Sequence, residues 1–444
     1  MKLHSAPWRL AAGAALVSIV LVGCRSSGDD PAEPAGGGEE GSEEIATDIG
    51  VTSEPCPDAV NADNGCIYLG TISDLTVGPF APLAVPITDA QAAFWQRVNE
   101  DGGIGGYDID VTTYVADNLY QPEVHNQVYQ EMKDEILAMA QTLGSPTTAT
   151  ILDDLEASDI VAAPASWTSE FAFTDVIVES GANYCAEAMN AIDYAVENFD
   201  AQSVMAVAYP GDYGGDAAAG AKVAADANGL EFTNVETGPG ADNQAGAIDA
   251  IVSGQPDVVM ITTAPGDLAV IIGQSAARGY AGKFIGSSPT WNPALLQSPA
   301  APAIEGLFLH AGPWGSFDSD TPGHQAMREA VGDVPPNDGY TSGWAWSYPL
   351  RAALEVAVEN GDLTRAGLVE AVQSLESVDY EGMLPEGSGN FAGEPNDAVV
   401  RSSLISQPSA EGAAGLVTIQ EFFEGPTVSE YVFEGSCYTT VDMG

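Results

Sequence analysis

An α/β fold is predicted, in two similar lobes that each carry a mainly parallel sheet flanked by helices. Three observations predict it. After Cys66, apolar runs of strand length alternate with amphipathic segments of helix length, the pattern of parallel strands joined by crossover helices. That alternation occurs twice, in halves of roughly 120 residues, the second beginning near residue 183. The chain also has 444 residues with 45% apolar side chains, enough for a substantial core and more suited to two domains than one.

The elements follow in order. Residues 1–23 have the parts of an export signal: Lys2 and Arg9, an apolar stretch from Leu10 to Val22, then small residues before Cys24. That stretch is too short to span a bilayer. Residues 24–55, rich in Glu, Asp, Gly and Ser, read as a disordered acidic tether. "CIYLGTISDL" is the first strand, and "TVGPFAPLAVP" a loop. A helix is expected to start at Thr88, where Thr88 and Gln91 form a capping box and Ala90, Phe94 and Val98 face the sheet.

The glycines of "VNEDGGIGGYDIDV" invite a phosphate-cradle reading. A dinucleotide fingerprint runs from strand to glycines to helix. Here the order is helix, glycines, strand, so Gly102 and Gly103 stop the helix and Gly105 and Gly106 lead into "YDIDVTTYV". Next come a helix with Val128, Met132, Ile136 and Met139 on one face, the run "ILAMAQTL", a helix opened by "GSPTTATILDDL", and the strand "DIVAAP". The second set comprises the helix "AEAMNAIDYAVENF", the strand "SVMAVAYP", the helix "AAAGAKVAADANG", the strand "LEFTNVE" and the run "PDVVMITT". The last third returns to helix at "SGWAWSYPLRAALEVAVENG" and "TRAGLVEAVQSL" and ends strand-like in "VTIQEFFEG" and "SEYVFEG".

Charge and cysteine content narrow the function classes. With 64 acidic against 12 basic residues, the surface repels nucleic acid and anionic headgroups, and it suits a salty medium. "LVGC" (Leu21 to Cys24) resembles the lipobox of bacterial lipoproteins, which implies that Cys24 is diacylated and anchors the protein on the outer face of the cell membrane. Four cysteines remain, Cys56, Cys66, Cys185 and Cys437, and three pairings are open in principle. The short turn-rich loop "PDAVNADNG" favours Cys56 with Cys66, leaving Cys185 with Cys437. No metal-ligand spacing, nucleophile elbow, HExxH, Walker loop or EF-hand loop occurs, so neither a metal, a cofactor nor catalysis is expected. His125, His310 and His324 lie far apart in sequence and read as ordinary core or surface residues.

Longer stretches resemble a known family. "IYLGTISDLTVGPFAPLAVP", "AAFWQRVNEDGGIGGYDIDVTTYVAD", "LGSPTT", "AYPGDYGGD", "QPDVVMITT" and "SAARGYAGKFIG" are similar, in order and spacing, to the branched-chain amino acid (Leu/Ile/Val) binding proteins, type I periplasmic solute-binding proteins of ABC importers. The resemblance implies two lobes joined by a three-stranded hinge: 66–180 with 312–378, and 181–311 with 385–444, which would bring Cys437 near Cys185. It implies a monomer that captures a small organic ligand, an amino acid or related carboxylate or amide, and passes it to permease subunits. A sensing lipoprotein of the same fold, coupled to a signalling partner, is the alternative.

Ligands of open α/β sheets bind beyond the carboxyl ends of the strands. Gly144, Ser145 and Pro146 stand there, with Ser145 able to cap a helix or to bind a carboxylate. "PASWT" matches the family's second ligand loop, which implies Ala165, Ser166 and Trp167 at the site; Trp167 replaces a small hydroxyl residue and points to a more aromatic pocket. Tyr213 matches a wall residue of the second lobe. Ser287 and Ser288 stand where amino acid binders carry the acid that pairs with the ligand ammonium. Asp74, after the first strand, is a further candidate for the cleft, with Asp212 and Asp267 as substitutes for the missing acid, and Trp291 is a candidate lining residue.

Overall fold

The structure, a computed structural model, describes residues 45–443. The export signal, Cys24 and the tether up to residue 44 lie outside the described residues. Two sheets organise the rest. The first contains β1 (Val51–Thr52), β2 (Gly65–Ser73), β3 (Tyr107–Asp117), β4 (Ala138–Leu143) and β5 (Ala162–Ala165). β2 runs parallel between β3 and β4, β5 is parallel to β4, and β1 pairs antiparallel with the start of β2. In β2 every residue but Tyr68 is buried, as a parallel sheet covered on both faces requires.

The second sheet contains β6 (Ser203–Ala208), β7 (Glu231–Glu236), β8 (Val258–Thr262), β9 (Lys283–Gly286), β10 (Phe308–Gly312), β11 (Ser403–Pro408) and β12 (Leu416–Phe423). Their order is β12-β11-β10-β9-β8-β6-β7. The five strands from β6 to β10 are parallel, and the two late strands add antiparallel. The chain crosses between the two layers over residues 166–183, 313–321 and 374–402.

Several expectations need correction. The first long helix, α1, spans Ala81–Glu100 and begins before Thr88. Pro82 stands in its first turn, where no N–H is missed, and the carbonyl that Pro86 leaves unpaired accepts from Asn292 Nδ2 at 3.3 Å. Thr88 therefore lies mid-helix, its hydroxyl donating back to Ala84 O at 2.9 Å. The face of Ala90, Phe94 and Val98 is buried as expected. The tether ends earlier than residue 55, because Ala46–Thr47 pairs with Asp362–Leu363 and β1 pairs with β2. α2 (Pro122–Met132) stops before Ile136 and Met139; Met139 belongs to β4, although both residues still join Met132 in one core cluster. "SEYVFEG" is not a strand, since the helix Pro426–Glu430 takes its start.

The glycine motif is a turn. Ile104 and Tyr107 exchange both backbone hydrogen bonds, at 2.9 and 3.0 Å, around Gly105 and Gly106 with φ of +59° and +86°. Two positive φ values in succession make the primed turn that glycines permit. Both disulfides are formed: Cys56 to Cys66, with Cα atoms 4.8 Å apart, and Cys185 to Cys437, 6.4 Å apart. Chain-entropy reasoning gives upper-end contributions of about 3 and about 5 kcal/mol, the larger from the bond that fastens the chain's end to α3 (Tyr184–Phe199).

Candidate functional site

The carboxyl ends of both sheets converge on one cavity, with about 830 Å³ of empty space including its open mouth. From the first sheet, β4 delivers Gly144 and Ser145, and β5 delivers Ala165, Ser166 and Trp167. From the second, β9 leads to Ser288 and Trp291, and β10 carries His310 and leads to Trp314. Tyr213 enters from the first turn of α4 (Asp212–Asn228), which follows β6.

Gly144 shows why this site needs its sequence. Its φ is +97°, and a Cβ there would lie 2.6 Å from Thr147 Oγ1 and 2.7 Å from the Tyr120 ring. The Thr147 hydroxyl braces the turn, donating to Gly144 O at 2.8 Å. Ser145 makes no cap bond. Its hydroxyl is buried without a partner, and so is that of Ser166. Two orphaned hydroxyls in the wall of a cavity are costly unless a ligand or water completes them.

The remaining wall is largely aromatic. Trp167 packs on Tyr184 at 5.2 Å between ring centroids, on Trp314 at 5.1 Å and on Trp346 at 5.2 Å. Tyr213 closes the other side, 4.9 Å from Tyr184 and 6.0 Å from Phe80, and its hydroxyl lies 3.1 Å from Ser287 Oγ. Leu83 and Ile87 of α1 complete the apolar surface.

Charge is scarce here. Among the described residues no Lys or Arg lines the cavity, and the one acidic lining residue is Asp338, whose carboxyl accepts from Phe317 N at 3.0 Å and is pushed up to about 7 by burial. Burial holds the His310 imidazole down to about 3, so it is neutral at ordinary pH, with Nδ1 unpartnered. Glu187, in the first turn of α3, is fully buried behind Trp167 and Ser288, and burial raises its carboxyl well above the usual range. The Trp167 indole and the Ser288 amide lie near that carboxyl without closing well-formed bonds.

Seven of the eight residues singled out from sequence meet at this cavity: Gly144, Ser145, Ala165, Ser166, Trp167, Tyr213 and Ser288. Asp74 does not. Its carboxylate is buried and accepts from Gly78 N and Phe80 N, both at 2.9 Å, so it shapes the loop that presents Phe80. Asp267 is likewise engaged elsewhere, by Tyr209 OH and Gly240 N. Trp291 does line the cavity, its N–H donating to Ala414 O at 3.0 Å.

Sequence reasoning missed Trp346, Trp314 and His310 as lining residues. Trp344 and Trp346 stand two residues apart in a helical segment, so they point to different sides. Trp344 ends in the core and Trp346 in the cavity. His310 stands in the middle of a five-residue strand whose carboxyl end faces the cavity, so the strand itself is the signal that could have found it.

Comparison with known proteins agrees with this fold. A family model described as periplasmic binding protein matches residues 67–422. A fatty acid ABC transporter substrate-binding protein from Thermomonospora curvata superposes with a TM-score of 0.80 at 27% identity, covering 88% of this chain and 98% of that one. A branched chain amino acid ABC transporter protein from Thermus thermophilus with bound valine gives 0.71 at 18% identity, covering 82% and 98%. An ABC transporter substrate binding protein from Aeropyrum pernix gives 0.71 at 18%, covering 85% and 100%. A search of curated proteins by sequence found no match. Among the described residues no helix is long and apolar enough to cross a membrane. The family and these neighbours bind substrates and are not enzymes, and the chain itself belongs to the periplasmic binding protein family, of the type I kind its sequence resembles.

Proposed function

We propose that the protein captures, outside the cytoplasm, a mainly apolar organic ligand with a carboxylate or amide head group, and delivers it to an ABC importer. The carrying observation is the pair of orphaned hydroxyls, Ser145 and Ser166, in an aromatic cavity that, among the described residues, no cationic side chain lines. Those hydroxyls donate to the head group, and Trp167, Trp314, Trp346 and Tyr213 cover the apolar body. An α-amino acid fits poorly. Its ammonium would be desolvated where, among the described residues, the one acidic lining residue is Asp338, whose carboxyl is already taken up by Phe317 N at 3.0 Å. The Thermomonospora neighbour, named for a fatty acid, supports an apolar ligand.

In this reading residues 66–180 with 312–378 form one lobe, and 181–311 with 385–444 the other. A ligand touching Ser145 on one and Tyr213 on the other favours the closed form by as much as it binds that form better. The protein acts as a monomer, and Cys24 carries the lipid that holds it to the outer face of the membrane beside the permease.

A thermal-shift panel tests this. Straight-chain and aromatic carboxylic acids, their amides and the matching α-amino acids are compared at equal concentration. A ligand at one hundred times its Kd adds about 2.7 kcal/mol, an easily read rise in midpoint. The acids or amides should raise the midpoint, and the amino acids should do so less. Amino acids giving the larger rise would overturn the reading.

A further inference from the structure

A second cavity, of about 730 Å³ with its mouth included, lies where the chain passes between the two sheets. One wall is residues 171–181. There Ile177 pairs with Ala162 at the edge of the first sheet, and Ala182 pairs with Val400 on the way into the second. The other wall comes from residues 391–400 and from Val372 in the helix Arg365–Gln373.

This cavity differs in chemistry from the first. Phe171, Phe173, Phe391 and Val372 make it apolar and aromatic on several sides. Glu179 lines it, and Glu179 Oε1 is shut off from solvent with no hydrogen-bond partner. The other charged lining residue is Asp175, and among the described residues no Lys, Arg or His lines it. The ionisable groups facing Glu179 from neighbouring elements are Asp216 and Tyr380. Neither supplies a positive charge; Asp216 accepts from Ser169 N and Cys185 N, and Tyr380 OH is 3.2 Å from Ser180 Oγ.

We propose that this cavity is a second ligand site, one that takes a small organic cation: an ammonium group on a short apolar body, with Glu179 as its anionic partner. Aromatic faces favour a cation electrostatically, and the apolar walls favour its carbon chain. Charge complementarity decides the class, because an anion would meet two carboxyls and no donor of positive charge. Without the ligand, burial and the nearby Asp216 raise the Glu179 carboxyl well above the usual range, which favours its protonated form. Binding then exchanges charges: the carboxylic acid gives up its proton to solvent, and the ammonium takes its place beside the carboxylate.

Calorimetry on the full mature chain tests the site, with n-butylammonium chloride as probe at pH 7 and raised salt, in two buffers of different ionisation enthalpy. Butan-1-ol and butanoate serve as controls with the same carbon chain. The expected result is saturable binding of butylammonium with release of about one proton per ligand, and weaker or no binding of the controls. Glu179→Gln should abolish the proton release and weaken binding at least about tenfold. Phe391→Ala, at a half-buried position, should weaken binding several-fold while proton release persists. It keeps the test decisive if the first variant fails to fold. No saturable binding, affinity unchanged in Glu179→Gln, or equal binding of butan-1-ol without proton release would each overturn the proposal.

Discussion

Trp344 and Trp346 stand two residues apart and are both buried, yet their indole N–H groups differ. Trp344 packs against Phe94 at 5.1 Å and donates to Tyr348 OH at 3.0 Å. Trp346 faces the cavity, and its N–H has no partner. The same contrast separates two histidines. Burial holds both His125 and His310 down to about 3, but His125 meets Asn118 Nδ2 at 3.1 Å and Thr142 Oγ1 at 3.0 Å, whereas His310 Nδ1 meets nothing. Burial alone therefore does not mark the site. In both pairs the core member completes its polar group internally and the cavity member does not, although unpartnered groups such as Trp95 Nε1 also occur away from the cavity.

Substitutions can break this contrast. The largest effect is expected at Trp344→Ala, which opens a void in the core and removes the indole donor to Tyr348 OH. Urea unfolding should show a loss of about 3–5 kcal/mol. Trp346→Phe, which keeps a ring and removes an orphaned donor, should change stability by less than about 0.5 kcal/mol while weakening the ligand. Equal losses of stability at the two positions would show that both belong to the core.

A smaller effect concerns acid. The His310 imidazole takes a proton near pH 6.5 when unfolded but only near 3 when folded. In that window the unfolded state binds more protons, so stability falls as pH drops from about 6.5 toward 3. Each unit of pH costs about 1.4 kcal/mol, or about 2 kcal/mol by pH 5 for this one residue. Asp338, raised to about 7, acts in the opposite sense, its contribution being lost as pH rises toward 7. The comparison should therefore be made between variants. His310→Gln should lose less stability than the parent between pH 7 and pH 5, and an identical loss would mean that His310 is not buried neutral.

How much of this could be read from the sequence depends on where each residue stands. Ser145, Ser166 and Trp167 directly follow apolar strands, so the rule for open α/β sheets finds them. Trp346 and Trp314 come from a late helical segment and a crossing, and only the packing of α1 against the helix Asp338–Ala345 brings Trp346 to the cavity. Nothing local marks such residues. The start of α1 was hidden by Pro82 and Pro86, because Asn292, some two hundred residues away in sequence, accounts for the carbonyl that Pro86 cannot use. Asp74 looked free to serve a ligand because its true partners, the amides of Gly78 and Phe80, are main-chain groups whose arrangement depends on the fold. The orphaned state of Ser145, a residue able to cap its own helix, is visible only in the structure, where no side chain caps that helix and the Ser145 hydroxyl is buried without a partner.

The central claim is that Ser145 and Ser166 are left incomplete for a ligand. Calorimetric titration of the best ligand from the thermal-shift panel into the parent and into the Ser145→Ala, Ser166→Ala double variant tests it directly. Each lost hydroxyl should cost about 1 kcal/mol or more of binding, so affinity should fall at least about thirtyfold, while the ligand-free unfolding midpoint stays level or rises because two orphans are gone. Unchanged affinity, or a midpoint that falls with the ligand absent, would show that the hydroxyls serve the fold, contradicting the account.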